Sequence, residues 1–181
     1  MPKPFETERL LARPMDDTDY SFIRGLQTDP EVLKHIADGI PRTEDQTRKW
    51  FERSREVTRG DSRLGNWVAM ERRSGQPVAS LVLRYAPVEG EEKSLELGYT
   101  LARSAWGQGL ATEAARGIVS YALAEFESPR VVALIAPTNS ASRAILVKSG
   151  LTFARNVDWK DPVTGALKPC ELFELCRRPS A

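Results

Sequence analysis

Hydrophobic and polar positions repeat with two different periods along this chain, and each period marks a kind of element. A helical spacing runs through residues 43–59, where Trp50, Phe51 and Val57 share one side. A longer helical stripe covers residues 110–126. Its members are Ala111, Ala114, Ala115, Ile118, Val119, Ala122, Leu123 and Phe126. The pattern therefore predicts two amphipathic helices, the first with Thr43 as its N-cap.

A period of two marks the strands, most clearly over residues 94–101. There Leu95, Leu97, Tyr99 and Leu101 would share one face, and Glu96, Gly98 and Thr100 the other. Shorter apolar runs predict strands over residues 7–13, 67–70, 78–85, 131–135, 152–159 and 167–175. Residues 160–165 are rich in turn formers and would link the last two strands as a hairpin.

The order of these elements predicts the fold class. Polar residues 16–19 would cap a further early helix, Asp29-Pro30 would end it or open a short second one, and a helix over residues 141–149 would end at Gly150. The order is then β-α-α-β-β-β-α-β-α-β-β. Hairpins supply antiparallel pairs and a helical crossover supplies a parallel one. We therefore expect one α+β domain over residues 1–181, with a mixed β-sheet flanked by helices.

Composition and charge restrict the class of protein rather than its activity. The 181 residues are 41% hydrophobic and 28% charged, as expected for a globular chain. Because 26 basic residues are nearly balanced by 25 acidic ones, the chain has no overall positive field that would attract nucleic acid. The single His35 and the two cysteines, Cys170 and Cys176, do not form a four-ligand zinc site. Since neither a membrane span nor a leader is visible, we expect a cytoplasmic protein that uses no metal, membrane or nucleic acid.

A glycine-rich loop, Trp106-Gly107-Gln108-Gly109, joins the alternating strand to the longest apolar stripe. Glycines let the backbone approach a ligand closely, and a helix N-terminus offers free N–H groups and a positive dipole end. Together they predict an anion site that suits a pyrophosphate. A dinucleotide-binding loop would need Gly or Ala at position 112, where this chain has Thr. A Walker loop would need Gly-Lys-Ser/Thr, which does not occur in this sequence. A tight turn with a purely structural role is the remaining alternative.

Several motifs in the right order resemble the GNAT superfamily of N-acetyltransferases. The loop resembles the family's motif A, Gln/Arg-x-x-Gly-x-Gly/Ala, with Trp106, Gly109 and Ala111 at the three specified positions. Further similar segments are Leu97-Gly98-Tyr99, Thr112-Glu113-Ala114, Asn139-Ser140-Ala141-Ser142 and Lys148-Ser149-Gly150-Leu151. The start of the chain, residues 8–14, resembles the branch that acetylates the N-termini of ribosomal proteins. The resemblance covers nearly the whole chain and implies a cofactor cleft beside a bulged central strand.

The resemblance implies that acetyl-coenzyme A is the co-substrate. Backbone N–H groups of residues 106–112 would hold its pyrophosphate, and the edge of the strand over residues 94–101 would pair with the pantetheine arm. Gly98 is a natural position for the bulge, and Asn139 would hydrogen-bond the arm or order a water. The implied cofactor-binding residues are Gly98, Tyr99, Thr100, Leu101, Trp106, Gly107, Gln108, Gly109, Leu110, Ala111, Thr112 and Asn139.

Attack of an amine on a thioester needs a base, a donor to the developing oxyanion and an acid for the leaving thiolate. Glu96 is the candidate base, acting directly or through water; a solvated or ion-paired strand glutamate is the alternative. The oxyanion donor would be a backbone N–H at or near Gly98 or Tyr99. Many relatives use a tyrosine as the acid at the position where this chain has Leu146. The ribosomal-protein branch can use a serine instead, so the resemblance implies Ser142 as the acid. A structural hydroxyl at Ser142, with water as the acid, is the alternative.

The acceptor is expected to be a primary amine, first of all a protein or peptide N-terminus. An aminoglycoside, a polyamine and an amino acid are alternatives. In this fold residues 29–50 and 157–168 would wall the amine site, with Trp50, Trp159, Glu44, Asp45, Asp158 and Asp161 among them. A non-catalytic acyl-coenzyme A binding module is the alternative from another class, because Leu146 and Leu151 depart from the family pattern. The resemblance also suggests a homodimer.

Overall fold

The computed structural model describes residues 4–36, 39–61, 63–91, 93–127, 130–160 and 166–176. The strands are β1 (Phe5–Glu6), β2 (Leu10–Pro14), β3 (Gly65–Glu71), β4 (Pro77–Tyr85), β5 (Leu95–Leu101), β6 (Arg130–Ile135), β7 (Thr152–Lys160) and β8 (Leu167–Cys176). The helices are α1 (Tyr20–Thr28), α2 (Pro30–Leu33), α3 (Glu44–Gly60), α4 (Leu110–Glu125) and α5 (Ser140–Lys148). Short 3-10 turns, Asp17–Asp19 and Arg103–Ala105, precede α1 and α4.

The strands form one eight-stranded sheet in the order β1-β2-β3-β4-β5-β6-β8-β7. Neighbouring strands are antiparallel except β5 and β6, which are parallel. The crossover helix α4 joins these two strands, as a parallel pair requires. The predicted mixed sheet flanked by helices is confirmed.

The alternation along β3 shows how helices cover both faces of the sheet. Trp67 and Ala69 are fully buried in the main core, which also contains Ile118 of α4. Val68, between them in sequence, packs instead in a second cluster with Ile23 of α1 and Phe51 of α3. Because neighbouring strand residues face opposite sides, α4 lies on one face of the sheet and α1 and α3 on the other.

The predicted strand over residues 7–13 is wrong in one respect, because the chain reverses within it. β1 ends at Glu6, β2 begins at Leu10, and the two strands pair antiparallel. Thr7 makes the turn: its N–H donates to the Leu10 carbonyl at 2.9 Å, and its hydroxyl accepts from the Leu10 N–H at 3.0 Å. A threonine hydroxyl that offers the backbone a local partner favours a turn over a continuous ladder.

The helix starts follow the predicted capping chemistry. Thr43 caps α3 in a reciprocal capping box with Gln46. On the inner side of α3, Phe51 is buried and Trp50 partly buried, but Val57 is exposed, contrary to its prediction. Residues 161–165, which belong to the predicted hairpin turn, lie outside the described residues.

Candidate active site

A cleft opens in the middle of the sheet, between β5 and β6. Their parallel pairing covers only the first two residues of β5, Leu95 and Glu96, although both strands continue. Because α4 follows β5 and α5 follows β6, both helices begin at the end of the sheet where the strands part. The strands therefore part at the place where the cleft is predicted.

The predicted bulge at Gly98 does not appear in the pairing with β4. Gly98 lies opposite Val82 in a register that continues unbroken from Leu95 to Leu101. A Cβ added at Gly98 would meet the Val82 Cβ at 3.5 Å, an ordinary contact, so space does not require glycine there. The irregularity of β5 is instead the early end of its pairing with β6.

The glycine-rich loop leaves the N-terminus of α4 open. Gly107 and Gly109 have φ values of 73° and 76°, a left-handed region that favours glycine. Gly109 is the N-cap and offers no side chain, whereas Asp29, Thr43 and Asn139 cap α2, α3 and α5 with side-chain oxygens. The first-turn N–H groups of α4 are thus left for a ligand, and the helix dipole favours an anion.

Side chains of the loop brace it against the protein. Trp106 is 47% exposed, and its Nε1 donates to the Leu101 carbonyl at 3.1 Å. Gln108 Nε2 donates to the Ser104 carbonyl at 2.7 Å, while the Leu110 side chain is buried in the core. These anchors suit the predicted role of residues 106–112, in which backbone amides rather than side chains contact the cofactor.

The other predicted cofactor contacts lie on the same two elements. Gly98 and Thr100 are half-buried on β5, beyond the point where β6 departs, and Leu101 is buried. Ala111 and Thr112 are half-buried in the first turn of α4. A ligand that follows β5 toward the loop would therefore pass all of these positions.

Glu96 is a buried carboxylate, 8% exposed, at the last position where β5 and β6 pair. Arg84 lies directly opposite on β4, and its Nε donates to Glu96 Oε2 at 2.6 Å. Burial raises the pKa of the Cys170 thiol on β8, and the nearby charge of Glu96 raises it further. The predicted alternative of an ion-paired glutamate thus describes the contacts of Glu96, and its role as a base stays a prediction.

Ser142 and Tyr99 form a pair of hydroxyls. Ser142 is 9% exposed in the first turn of α5, where its N–H donates to Asn139 Oδ1 at 3.0 Å. The Tyr99 hydroxyl lies 2.8 Å from Ser142 Oγ and donates to the Ser142 carbonyl at 3.3 Å. Burial raises the pKa of Tyr99 to about 12, and its single hydroxyl proton can be directed either at the Ser142 carbonyl or at Ser142 Oγ.

The contacts of two arginines and of one phenol were not predicted from the sequence. Arg84 could have been found by pairing the two predicted strands around their turn, since that register sets it opposite Glu96. Tyr99 was expected to line the cofactor, but its partner Ser142 lies on another element. Arg9 contacts Glu113, a hundred positions away, and no local pattern signals such a pair.

The acidic groups predicted near the acceptor on α3 are largely paired. Glu44 accepts from the Tyr20 hydroxyl at 2.7 Å, and this bond is the main cause that lowers the Glu44 pKa. Arg48 also donates to Glu44, and Lys49 pairs with Asp45 at 2.8 Å. These carboxylates therefore have basic partners, which reduces their attraction for a cationic amine.

The second predicted wall lies on the β7–β8 hairpin. Asp158 is exposed on β7, and next to it Trp159 has Lys168 Nζ 6.0 Å from its ring centroid. Asp161 lies outside the described residues. Asp158 is thus the exposed acid of this wall among the described residues.

The two leucines that depart from the family pattern are core residues. Leu146 and Leu151 are 0% and 1% exposed and belong to the main core cluster. A tyrosine at position 146 would have to place its hydroxyl within this apolar packing, which is costly without a partner. The local packing thus agrees with leucine at both positions.

Among the residues that the structure describes, no group of three or more histidine, cysteine, aspartate or glutamate residues could hold a metal ion. No described helix combines the length and the apolar composition needed to cross a membrane. Cys170 and Cys176 are both free thiols.

Comparison with known proteins identifies relatives of this fold. Residues 9–152 match a family model described as an acetyltransferase (GNAT) domain. The FsC-acetyl coenzyme A-N(2)-transacetylase of Aspergillus fumigatus is 34% identical over 154 residues, which are 81% of this chain and 63% of that protein. A GNAT-family acetyltransferase from Bacillus anthracis superposes with a TM-score of 0.79 at 21% identity, covering 96% of this chain and 98% of that one. RimL, a ribosomal L7/L12 alpha-N-protein acetyltransferase in complex with coenzyme A, superposes with a TM-score of 0.77 at 14% identity, covering 96% and 98%. At such identities the two superpositions show the fold alone.

Proposed function

Since the chain belongs to the GNAT acetyltransferase family, we propose that it transfers the acetyl group of acetyl-coenzyme A directly to a primary amine. One observation carries this proposal: β5 parts from β6 immediately after the buried Glu96. The cleft that results lies between this carboxylate, the open N-terminus of α4 and the hydroxyls of Tyr99 and Ser142. A base, an anion site and an acid are the groups that attack on a thioester needs.

The residues at the start of α4 suit the diphosphate of the co-substrate. Gly107 and Gly109 turn the backbone with positive φ, and the N-cap carries no side chain that would occupy the first-turn amides. Acetyl-coenzyme A would supply the thioester whose acyl group is transferred. Residues 106–112 would hold its diphosphate, and the edge of β5 from Gly98 to Leu101 would follow its arm.

Glu96 and Tyr99 are three positions apart on a strand, and they therefore face opposite sides of β5. A thioester in the cleft would have the proposed base on one side and the proposed acid on the other. Glu96 would accept the amine proton, directly or through water, as the amine attacks. Ser142 would donate its proton to the departing thiolate, with Tyr99 holding Oγ in place. Ser142 would then regain a proton from solvent, and Glu96 would release its proton to solvent. The amine thus enters from one face while the thiol leaves toward the other.

A peptide or protein N-terminus is the first acceptor that we propose. Its support is the similarity of the chain start to the ribosomal-protein branch and the shared fold of RimL, whose name states such a substrate. A small-molecule amine is the second candidate, favoured by the relative of 34% identity, whose name states transfer to N(2) of FsC. The exposed Asp158 on the hairpin would suit the positive charge of either acceptor.

The test is thermal melting with acetyl-coenzyme A, followed by thiol release with N-terminal peptides and small amines. Ligand at 100 times its Kd stabilises by about 2.7 kcal/mol, or several degrees for a domain of this size. Absence of any shift at saturation would refute the cofactor site. Thiol release with peptides alone would support the first acceptor, and release with small amines alone the second.

Matched variants separate an enzyme from a non-catalytic binder. Glu96→Gln should reduce kcat by about a hundredfold or more while the Kd for coenzyme A stays unchanged. Glu91→Gln is the control, because Glu91 is a buried carboxylate paired with Arg130 at 2.7 Å in the loop before β5, outside the part of β5 that separates from β6. It should lower stability and leave the kcat of the folded protein near wild type. Equal kcat values for both variants would refute the role of Glu96.

A further inference from the structure

The segment before β2 is bonded directly to the first turn of α4. Glu113 receives three hydrogen bonds from this segment: Thr7 Oγ1 donates at 2.6 Å, and the Arg9 N–H and Nε donate at 2.7 Å each. Arg9 Nη2 also lies 2.7 Å from Glu113 Oε2. Both guanidinium nitrogens meet the same oxygen, Oε2, while Oε1 accepts from Thr7 and the Arg9 N–H, so both carboxylate oxygens of Glu113 are occupied.

Arg9 also reaches the glycine-rich loop itself. Its Nη1 donates to the Gln108 carbonyl at 2.8 Å, and its Nη2 lies 3.5 Å from where a Cβ of Gly109 would stand. The guanidinium thus lies against the loop that we propose for the diphosphate. A positive group there adds to the field of the helix N-terminus.

Glu113 poses an electrostatic problem for this site. It lies in the first turn of α4, and its contacts with Thr7 and Arg9 hold its pKa below the usual value although burial opposes them. A bare carboxylate would stabilise the isolated helix, but it would repel an anionic ligand bound at the same N-terminus. Arg9 cancels that charge where the ligand would otherwise meet it.

We infer that Arg9 is a positioning residue for coenzyme A. Arg9 neutralises Glu113 and fixes the Gln108 carbonyl, so that the loop can hold the diphosphate. The inference rests on the proposed co-substrate. It assigns the chain start, which lies far from the loop in sequence, a part in the affinity for the donor. It also explains why β1 and β2 reverse at Thr7, since the turn brings Thr7 and Arg9 to the same carboxylate.

The test compares coenzyme A with a donor that lacks the diphosphate. Arg9→Gln should raise the Kd for coenzyme A, measured by titration calorimetry, by about fivefold, and less at high salt. The KM for S-acetylpantetheine should not change in this variant, because that donor has no diphosphate. A merely structural clamp would raise both values together, and that result would overturn the inference.

A double variant isolates the charge. In Arg9→Gln/Glu113→Gln the repelling carboxylate is gone, so at least half of the lost affinity, on a logarithmic scale, should return. A double variant that binds no better than Arg9→Gln would overturn the inference.

Should Arg9→Gln fail to fold, Arg9→Lys keeps the positive charge but not the guanidinium contacts. Its Kd for coenzyme A should exceed the wild-type value by less than fivefold. Wild-type protein that binds no coenzyme A would refute the proposed function itself, whereas normal binding by every variant refutes only the role of Arg9.

Discussion

Tyr99→Phe tests whether the buried hydroxyl pair takes part in the reaction. The change removes one oxygen, which lies 2.8 Å from Ser142 Oγ, and keeps the ring. A net hydrogen bond of this kind contributes about 1 kcal/mol, or roughly a fivefold change in rate where the bond positions a reacting group. We therefore expect kcat to fall about two- to tenfold. The Kd for coenzyme A should stay near wild type, since no contact with the loop is lost.

The assay is steady-state thiol release for Tyr99→Phe, Ser142→Ala and the double variant. If Tyr99 acts only by holding Ser142, its removal should have no further effect once Ser142 is alanine. Tyr121→Phe is the matched control, because the Tyr121 hydroxyl is buried without a hydrogen-bond partner among the described residues. That variant should keep its kcat and be as stable as wild type or slightly more stable.

Two results would refute this reasoning. Effects of Tyr99→Phe and Ser142→Ala that multiply in the double variant would show that the two hydroxyls act separately. A kcat for Tyr99→Phe equal to that of Tyr121→Phe would show that the pair is structural. Melting of each variant separates both results from a loss of folded protein.

Three further predictions concern glycine positions and alkaline pH. Gly117→Ala should destabilise the protein by about 1–3 kcal/mol in denaturant unfolding, because its Cβ would lie 2.6 Å from Phe5 Cε2. Gly25→Ala has nothing within 4 Å of the added Cβ and should instead stabilise by up to about 1 kcal/mol. Changes of the same sign in the free energy of unfolding of the two variants would contradict the packing argument. Gly109→Ala must adopt φ near 76° at a cost of about 1–2 kcal/mol, so calorimetry should show weaker coenzyme A binding, and wild-type affinity would count against the loop. Burial raises the pKa of Tyr99 from about 10 in the unfolded chain to about 12 in the folded one, so a stabilisation of about 2–3 kcal/mol is present below pH 10 and is lost as pH rises through 12. Between pH 10 and 12, the free energy of unfolding should therefore fall more for wild type than for Tyr99→Phe. Equal losses in the two proteins would contradict the raised pKa of Tyr99.

The elements that could be predicted are those whose signal is local. The apolar stripe of α4 and the alternation of β5 follow from periods of 3.6 and two, and both elements appear within one residue of their predicted bounds. The open N-terminus of α4 was predictable too, because glycines before a helix permit a left-handed turn and offer no capping side chain, whatever the distant contacts. In each case the residues that cause the structure are neighbours in sequence.

The features that were missed depend on partners far away in sequence. The turn at Thr7 competes with a strand that the apolar residues on either side favour, and its hydroxyl bonds decide the outcome. Val57 fits the helical spacing of α3, yet no described residue packs over that end of the inner face closely enough to bury it. Arg9 and Glu113 meet only after β1, β2 and α4 have assembled. A periodicity cannot report such pairs, because the spacing within one element carries no information about the neighbouring one.

The pairing of Tyr99 with Ser142 bears on the absence of a tyrosine at position 146. Leu146 is fully buried, so the helix position that supplies a phenol in many relatives is committed to the core here. A strand can supply the phenol instead, because Tyr99 faces away from Glu96 and its hydroxyl reaches the first turn of α5. The proposed acid would then be a serine whose oxygen is held by a phenol that stays protonated. Leucine at position 146 therefore does not argue for a protein that has lost its chemistry. A non-catalytic binder would bind coenzyme A yet release no thiol with any amine, and Glu96→Gln and Ser142→Ala would change neither property.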